Sequence, residues 1–164
     1  MNRSKYVFLF VICLVLNSLK AQDQPVGNAS YEWGEIDISV NGYNILTPYT
    51  ESEFRSKVGA DFTKFRDTND TILLEFDYNI YYYVYGESSI IVDDEWGISD
   101  IQVHDQNLSI NGIRLGDSIE KAKSAFPKHE VRSDDIILDL DWAVLRFEYD
   151  ASGVITYIAF LVRT

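Results

Sequence analysis

The chain has 164 residues, and its 26 acidic side chains outnumber its 14 basic ones, for a formal net charge of −12. Such an acidic protein repels nucleic acid and anionic lipid surfaces, and it favours solubility, divalent cations or basic protein partners. A chain of this length buries roughly two-thirds of its unfolded surface, which is enough for one compact domain without disulfide bonds.

Residues 1–21 have the pattern of a secretory signal peptide. Arg3 and Lys5 precede an apolar run of 11 residues, Tyr6–Leu16, and the segment ends at the small residue Ala21. The run is shorter than the roughly 20 residues that a membrane-spanning helix needs. We therefore predict an exported bacterial protein, periplasmic or secreted, with no stable membrane span once the signal is cleaved.

Signal cleavage would change the charge and the cysteine content. Removing residues 1–21 takes away three basic groups and no acid, so the net charge falls from −12 to −15. The only cysteine, Cys13, leaves with the signal, and Ile12 before it argues against a lipidation site. Residues 22–35 are predicted to form a leader, because Gln22–Ala29 is polar and contains Pro25 and Gly27.

Two parts of the remaining chain resemble each other. Ser39–Tyr43 reads Ser-Val-Asn-Gly-Tyr and Ser109–Ile113 reads Ser-Ile-Asn-Gly-Ile. Asn-Gly is a strong hairpin signal, because both residues tolerate a positive φ. We predict two diverged copies of one β-turn, helix and meander unit, at 36–105 and 106–164, which could form one compact domain.

Each predicted turn is followed by a helix signal. Thr50 or Ser52 can cap a helix over Glu53–Val58 that stops at Gly59. Asp117 or Ser118 can cap a second helix over Ile119–Phe126, which Pro127 ends. In the second helix one apolar stripe is predicted, made by Ile119, Ala122, Ala125 and Phe126.

Strand signals follow each helix, and short turns connect them. The predicted strands are Thr71–Phe76, Asn79–Tyr85, Ile90–Val92 and Ile98–Val103 in the first unit, and Ile136–Leu140, Ala143–Tyr149 and Val154–Val162 in the second. Strands in such succession pair mainly antiparallel. The sequence thus predicts an α+β fold, a mainly antiparallel sheet with short helices on one face.

These elements resemble a known kind of domain. The Asn-Gly boxes, Tyr83-Val84-Tyr85 before Trp96-Gly97-Ile98, and the segment Leu115–Pro127 are similar to an uncharacterised domain of exported bacterial proteins. The helix segment is also similar to helix openings in β-lactamase-inhibitor-like and outer-membrane-assembly small lipoprotein folds. The paired or lipidated cysteines of those folds are missing here. The resemblance implies a helix-backed sheet that binds protein, and it carries no catalytic residues.

Metal ligands are few. After signal removal the chain has two histidines and no cysteine, which makes a zinc site improbable. Asp93, Asp94 and Glu95 supply oxygen atoms and are weak Ca²⁺ candidates, although they lack the loop glycine and distal glutamate of a helix-loop-helix calcium site. Solvated turn residues are the alternative explanation of this acidic run. We expect no cofactor.

Catalytic motifs are equally sparse. His104 follows a strand and His129 follows Pro127, and no Gly-x-Ser-x-Gly motif presents a serine to either histidine. Carboxylates are abundant, but no pair stands out at the separation that sugar hydrolysis requires. No glycine-rich loop is suited to phosphate binding. We therefore predict a protein that is not an enzyme, and a hydrolase is the last of three alternatives.

Aromatic residues supply the candidate binding surface. Alternation places Tyr81, Tyr83 and Tyr85 on one face of a strand, with Tyr82 on the other, and Trp96 lies near in sequence. Either the Tyr81, Tyr83 and Tyr85 face binds a partner, as tyrosine-rich surfaces do, or a covering element makes these tyrosines structural.

Besides the hydrolase, two functional hypotheses follow for this exported chain. The first is a protein-interaction domain, inhibitor-like, immunity-like or envelope-associated, whose partner could be basic. The alternative is a binding module for a small ligand, a glycan or Ca²⁺.

Overall fold

The computed structural model describes residues 30–32, 34–59, 61–66, 79–94 and 97–163. Within these ranges the chain forms ten strands and two helices. The strands are β1 (Ser39–Val40), β2 (Tyr43–Asn44), β3 (Thr63–Arg66), β4 (Ile80–Tyr85), β5 (Ser88–Asp93), β6 (Gly97–Val103), β7 (Glu130–Val131), β8 (Asp135–Leu140), β9 (Ala143–Tyr149) and β10 (Ile155–Val162). The helices are α1 (Glu51–Val58) and α2 (Ile119–Ala125). In these ranges no helix is long and apolar enough to cross a membrane.

Eight strands form one antiparallel sheet in the order β3-β4-β5-β6-β10-β9-β8-β7. Each half of the sheet is a meander of four consecutive strands, and the two meanders meet at their last strands, β6 and β10. The residues paired across six strands form a fully buried row: Tyr83, Ile90, Ile101, Phe160, Leu145 and Leu138. This row marks the covered face of the sheet.

Both helices pack on the covered face. Phe54 of α1 lies against Tyr83, with 4.8 Å between ring centroids. Phe126, directly after α2, lies 5.7 Å from Phe147, which shares the face of the buried row. The β1-β2 hairpin adds Val40 and further apolar side chains to the same core cluster. One side of the sheet therefore carries the hydrophobic core, as an α+β fold requires.

The two Asn-Gly turns bind each other reciprocally. The side-chain oxygen of Asn111 accepts hydrogen bonds from the backbone N–H of Ser39 at 2.7 Å and from its hydroxyl at 3.1 Å. The oxygen of Asn41 accepts the corresponding bonds from Ser109, at 2.8 Å and 2.9 Å. Both asparagines have a positive φ, 47° and 49°, which asparagine tolerates better than most residues. The turns thus join residues about 70 positions apart.

The predicted α+β class with a mainly antiparallel sheet is confirmed. Helix α1 begins two residues before its predicted start, at Glu51, and α2 ends one residue before Phe126. The hydroxyl of Ser118 accepts a hydrogen bond from Glu120, so Ser118 is the cap of α2. Ala125 was wrongly placed in the buried stripe. It lies exposed, because at 3.6 residues per turn the sixth residue after Ile119 points about a third of a turn away from the stripe.

Strand prediction succeeded where side chains alternate and failed elsewhere. Strand β3 was missed because three of its four residues are polar, and β7 was missed because it has only two residues. The predicted strand Thr71–Phe76 and the predicted signal peptide lie outside the described residues. Of the predicted leader, Tyr31 is part of the fold: its side chain is buried and its N–H donates to the Asp139 carbonyl at 2.9 Å.

Candidate functional site

The tyrosines proposed from the sequence lie on the covered face. Tyr83 is 0% exposed and cannot contact a partner in this fold. Its hydroxyl forms a short hydrogen bond with Tyr49, and its ring packs on Phe54. Tyr81 and Tyr85 are partly buried against the same core. The structural interpretation of Tyr83 is therefore correct, because α1 covers this face.

Charged groups around Tyr81 are satisfied within the fold. The Nζ of Lys64 lies 3.7 Å from the centre of the Tyr81 ring and also bonds to Glu51. Glu51 accepts a second hydrogen bond from Arg55 at 2.9 Å. The bonds from Lys64 and Arg55 hold the pKa of the Glu51 carboxyl below its usual value. This cluster ties α1 to β3.

Tyr85 borders a small cavity. Its hydroxyl accepts a hydrogen bond of 3.0 Å from the Asn107 side chain, and the cavity of about 210 Å³ is also lined by Phe62 and Leu108. Small-molecule pockets are usually larger, roughly 300 to 1,000 Å³. The fourth aromatic candidate, Trp96, lies outside the described residues.

The acidic run proposed for Ca²⁺ is only partly described. Asp93 is buried, and Glu95 lies outside the described residues. Asp94 accepts hydrogen bonds from the backbone and side chain of Asn79, at 2.7 Å and 2.8 Å. Burial raises the pKa of Asp94, but the Asn79 bonds outweigh it and hold the pKa below 3.8. Across the described ranges, no three His, Cys, Asp or Glu side chains are grouped to hold a metal ion.

Both histidines take part in structural contacts. The backbone N–H of His104 donates to the Ser88 hydroxyl at 2.8 Å, and its ring stacks on Tyr157 with 4.7 Å between centroids. The Nδ1 of His129 lies 2.7 Å from the Phe126 carbonyl, so that nitrogen carries the proton and donates. The second contact secures the chain where it leaves α2.

The side of the sheet opposite the helices carries a second row of paired residues, which we call the open face. The row crosses seven strands and consists of Phe65, Tyr82, Ile91, Asp100, Leu161, Val144 and Asp139. Phe65 and Leu161 are each 54% exposed. No described helix packs on this side, so these two side chains face solvent in a partly buried, mainly apolar band that Asp100 interrupts.

Basic residues on the open face are already paired. Arg146 binds Asp135 at 2.6 Å and Glu148 at 3.0 Å. Arg163 binds Asp139 at 2.9 Å. These pairs lie on the part of the sheet formed by β8, β9 and β10.

Asp100 stands at the centre of the band. Its neighbours across the strands are Ile91 and Leu161. One carboxylate oxygen, Oδ1, is buried and has no hydrogen-bond partner within the described ranges. Burial raises the pKa of Asp100 above 3.8, and a hydrogen bond from the Gln102 side chain opposes this only in part. Such a buried, unpaired acceptor is uncommon and calls for an explanation.

Replacing Asp100 with asparagine is expected to stabilise the protein at neutral pH. The pKa of Asp100 is higher in the folded state than in the unfolded state, where it is about 3.8, so the folded state holds the proton more tightly. The free energy of unfolding therefore falls as the pH rises from 3.8 through the pKa of the folded state. Asparagine removes this loss, so its midpoint temperature should exceed that of the wild type by about 3 °C at pH 7 and match it below pH 3.8.

The matched control is Asp139→Asn on the same face, which loses an exposed ion pair with Arg163. It should change the midpoint by about 1 °C or less, because exposed pairs contribute little. Thermal unfolding followed by circular dichroism across pH measures both variants. A lower midpoint for Asp100→Asn at pH 7 would show that the carboxylate stabilises the fold.

The open face was not predicted from the sequence. Its residues lie at the alternate positions of strands that were identified from their apolar residues. The available signal was Asp100, an acid within a strand whose residues Ile98, Ile101 and Val103 are apolar.

Comparisons with protein-family models, curated proteins and solved structures found no match to this chain.

Proposed function

We propose that this chain is an exported, non-enzymatic protein-interaction domain that binds its partner with the open face of the sheet. The observation that carries the proposal is the mainly apolar band on the side away from the helices, which exposes Phe65 on β3 and Leu161 on β10. Large apolar patches on the surface of a protein often mark the sites at which it binds other molecules.

The size of the open face fits such a role. Eight strands about 4.8 Å apart span roughly 34 Å, and six residues of strand extend about 20 Å. A stable protein complex uses about 800 Å² from each partner, which is close to this area. Tyrosine, phenylalanine and leucine side chains on a rigid sheet also lose little entropy on binding.

The N-terminal sequence supports the location. Its basic start, its 11-residue apolar run and the small residue Ala21 are typical of an export signal. An exported protein meets partners in the periplasm or outside the cell, where inhibitor-like, immunity-like and envelope-associated domains act.

We also infer that the chain arose from two copies of one unit. Support comes from the repeated Ser-x-Asn-Gly segments, the reciprocal bonds between Asn41 and Ser109 and between Asn111 and Ser39, and the meeting of the two meanders at their last strands. In this scheme the open face is a surface shared by both copies.

Affinity capture with variants tests the binding proposal. The full chain, tagged after Thr164 and exported with its own first 21 residues, is used as bait in the exported fraction of the native host. Leu161→Glu should remove a protein that the wild type captures, because it places a charge in the apolar band. Phe65→Glu, at the far end of the band, should have the same effect.

The matched control is Val131→Glu on the edge strand β7. The Val131 side chain is apolar and similarly exposed, at 46%, but it lies on the side of the sheet opposite the open face. It should retain the captured protein. Thermal unfolding confirms that all three variants fold. Failure to capture any protein, or equal capture by wild type and both open-face variants, would contradict the proposal.

A further inference from the structure

We infer that the partner is a basic protein that inserts an arginine or lysine side chain against Asp100. This inference rests on the proposed function, because it assigns chemistry to the same open face. It is carried by the half-buried Asp100 carboxylate, which has no ion pair among the described residues, and by the apolar side chains of Ile91 and Leu161 on either side.

The electrostatics of the open face single out Asp100. Asp135 also has a buried oxygen without a hydrogen-bond partner among the described residues, but its other oxygen binds Arg146 at 2.6 Å. Asp139 binds Arg163. For Asp100, in contrast, the described chain supplies a neutral amide, Gln102, and no ion pair. An incoming cation would meet the part of this carboxylate that is not buried, because Oδ1 itself has no contact with solvent.

The surroundings suit the stem of a basic side chain as well as its charge. Ile91 and Leu161 present aliphatic surface on both sides, which can pack against the methylene groups of arginine or lysine. Tyr157 lies close enough for the Asp100 charge to raise the pKa of its hydroxyl, after the larger effect of burial. Closure of a partner over the band would exclude water and strengthen the new ion pair.

The overall charge favours the same class of partner. The whole chain carries −12, so a basic protein is attracted over long range and an acidic one is repelled. On the open face itself, the arginines that could repel a cation are neutralised by Asp135, Glu148 and Asp139. Asp100, which has no ion pair among the described residues, would then orient the partner at close range.

A pair of matched peptides tests this inference directly. The probe is acetyl-Leu-Arg-Leu-amide, and the control ligand is the same peptide with citrulline, which keeps the shape of arginine but has no charge. Amide NMR titrations of the full-length protein should show shifts at Ile91, Asp100 and Leu161 with the arginine peptide. Its affinity should be about tenfold higher than that of the citrulline peptide, the gain expected of one partly buried charged pair.

Asp100→Asn should abolish this preference while the protein stays folded. Equal binding of the two peptides to the wild type, or a preference that persists in Asp100→Asn, would overturn the inference. Absence of binding by either peptide would overturn it too, because a free carboxylate between two apolar side chains should attract the guanidinium at millimolar concentration.

The outcomes also separate this inference from the proposed function. If Leu161→Glu removes a captured protein and Asp100→Asn does not, then the open face binds protein but Asp100 is not its cation site. If neither variant changes capture, both statements fail. If the captured protein is acidic, the inference about charge fails alone.

Discussion

Replacing Asn111 with alanine is expected to lower the free energy of unfolding by about 3 kcal/mol. The Asn111 oxygen accepts two hydrogen bonds from Ser39, and its nitrogen donates to the Asp37 carbonyl at 2.8 Å. Alanine removes all three bonds and leaves the N–H of Ser39 without its acceptor. It must also adopt a φ of 49°, which costs an L-residue other than asparagine about 1 kcal/mol.

Glycine at the same position separates these two causes. Asn111→Gly loses the same hydrogen bonds but accepts the positive φ, so it should cost about 1 kcal/mol less than alanine. Asn41→Ala should match Asn111→Ala, because its oxygen holds Ser109 in the same way. Urea denaturation measures all three. A loss below 1 kcal/mol for both alanine variants would show that the reciprocal bonds do not hold the halves together.

The second large effect is expected at Tyr83. Tyr83→Ala removes a ring with no exposed surface that packs on Phe54 and bonds to Tyr49, and it should cost about 4 kcal/mol. Tyr82→Ala, one residue away on the open face, should cost about 1 kcal/mol. The proposed function adds that Tyr82→Ala weakens capture of the partner.

Tyr83→Phe isolates the hydroxyl of the buried ring. It keeps the packing with Phe54 and leaves Tyr49 without its partner, for a cost of about 1 to 2 kcal/mol. Chemical denaturation gives the three free energies on one scale. Similar losses for Tyr82→Ala and Tyr83→Ala would mean that both faces of β4 are equally packed, which would remove the distinction between covered and open faces.

Local signals accounted for much of the fold. The Ser118 cap, the stop at Gly59 and the Asn-Gly turns are properties of a few neighbouring residues, so they could be predicted within one or two positions, whereas Thr50 precedes α1 without a side-chain capping bond. Strand order could not be predicted this way. The pairing of β6 with β10 joins residues about 55 positions apart, and no short pattern encodes it.

The candidate site, like the fold, could be predicted only in part from the sequence. Alternation correctly separated Tyr81, Tyr83 and Tyr85 from Tyr82, because successive side chains of a strand point to opposite faces. It did not say which face the helices cover. That choice depends on where α1 places Phe54, which is a property of the assembled fold. Asp100 was missed for the same reason, since its neighbours come from β5 and β10.

The strand order also has a consequence for folding and aggregation. Each meander pairs only consecutive strands, whereas joining β6 to β10 closes a loop of about 55 residues, at an entropic cost of about 3.5 kcal/mol. Until that step, β10 exposes an edge of eight residues, Ile155–Val162, with no charge and no proline. Such an edge pairs readily with other chains. The central position of β10 therefore hides the most aggregation-prone strand, but only after the two halves have met.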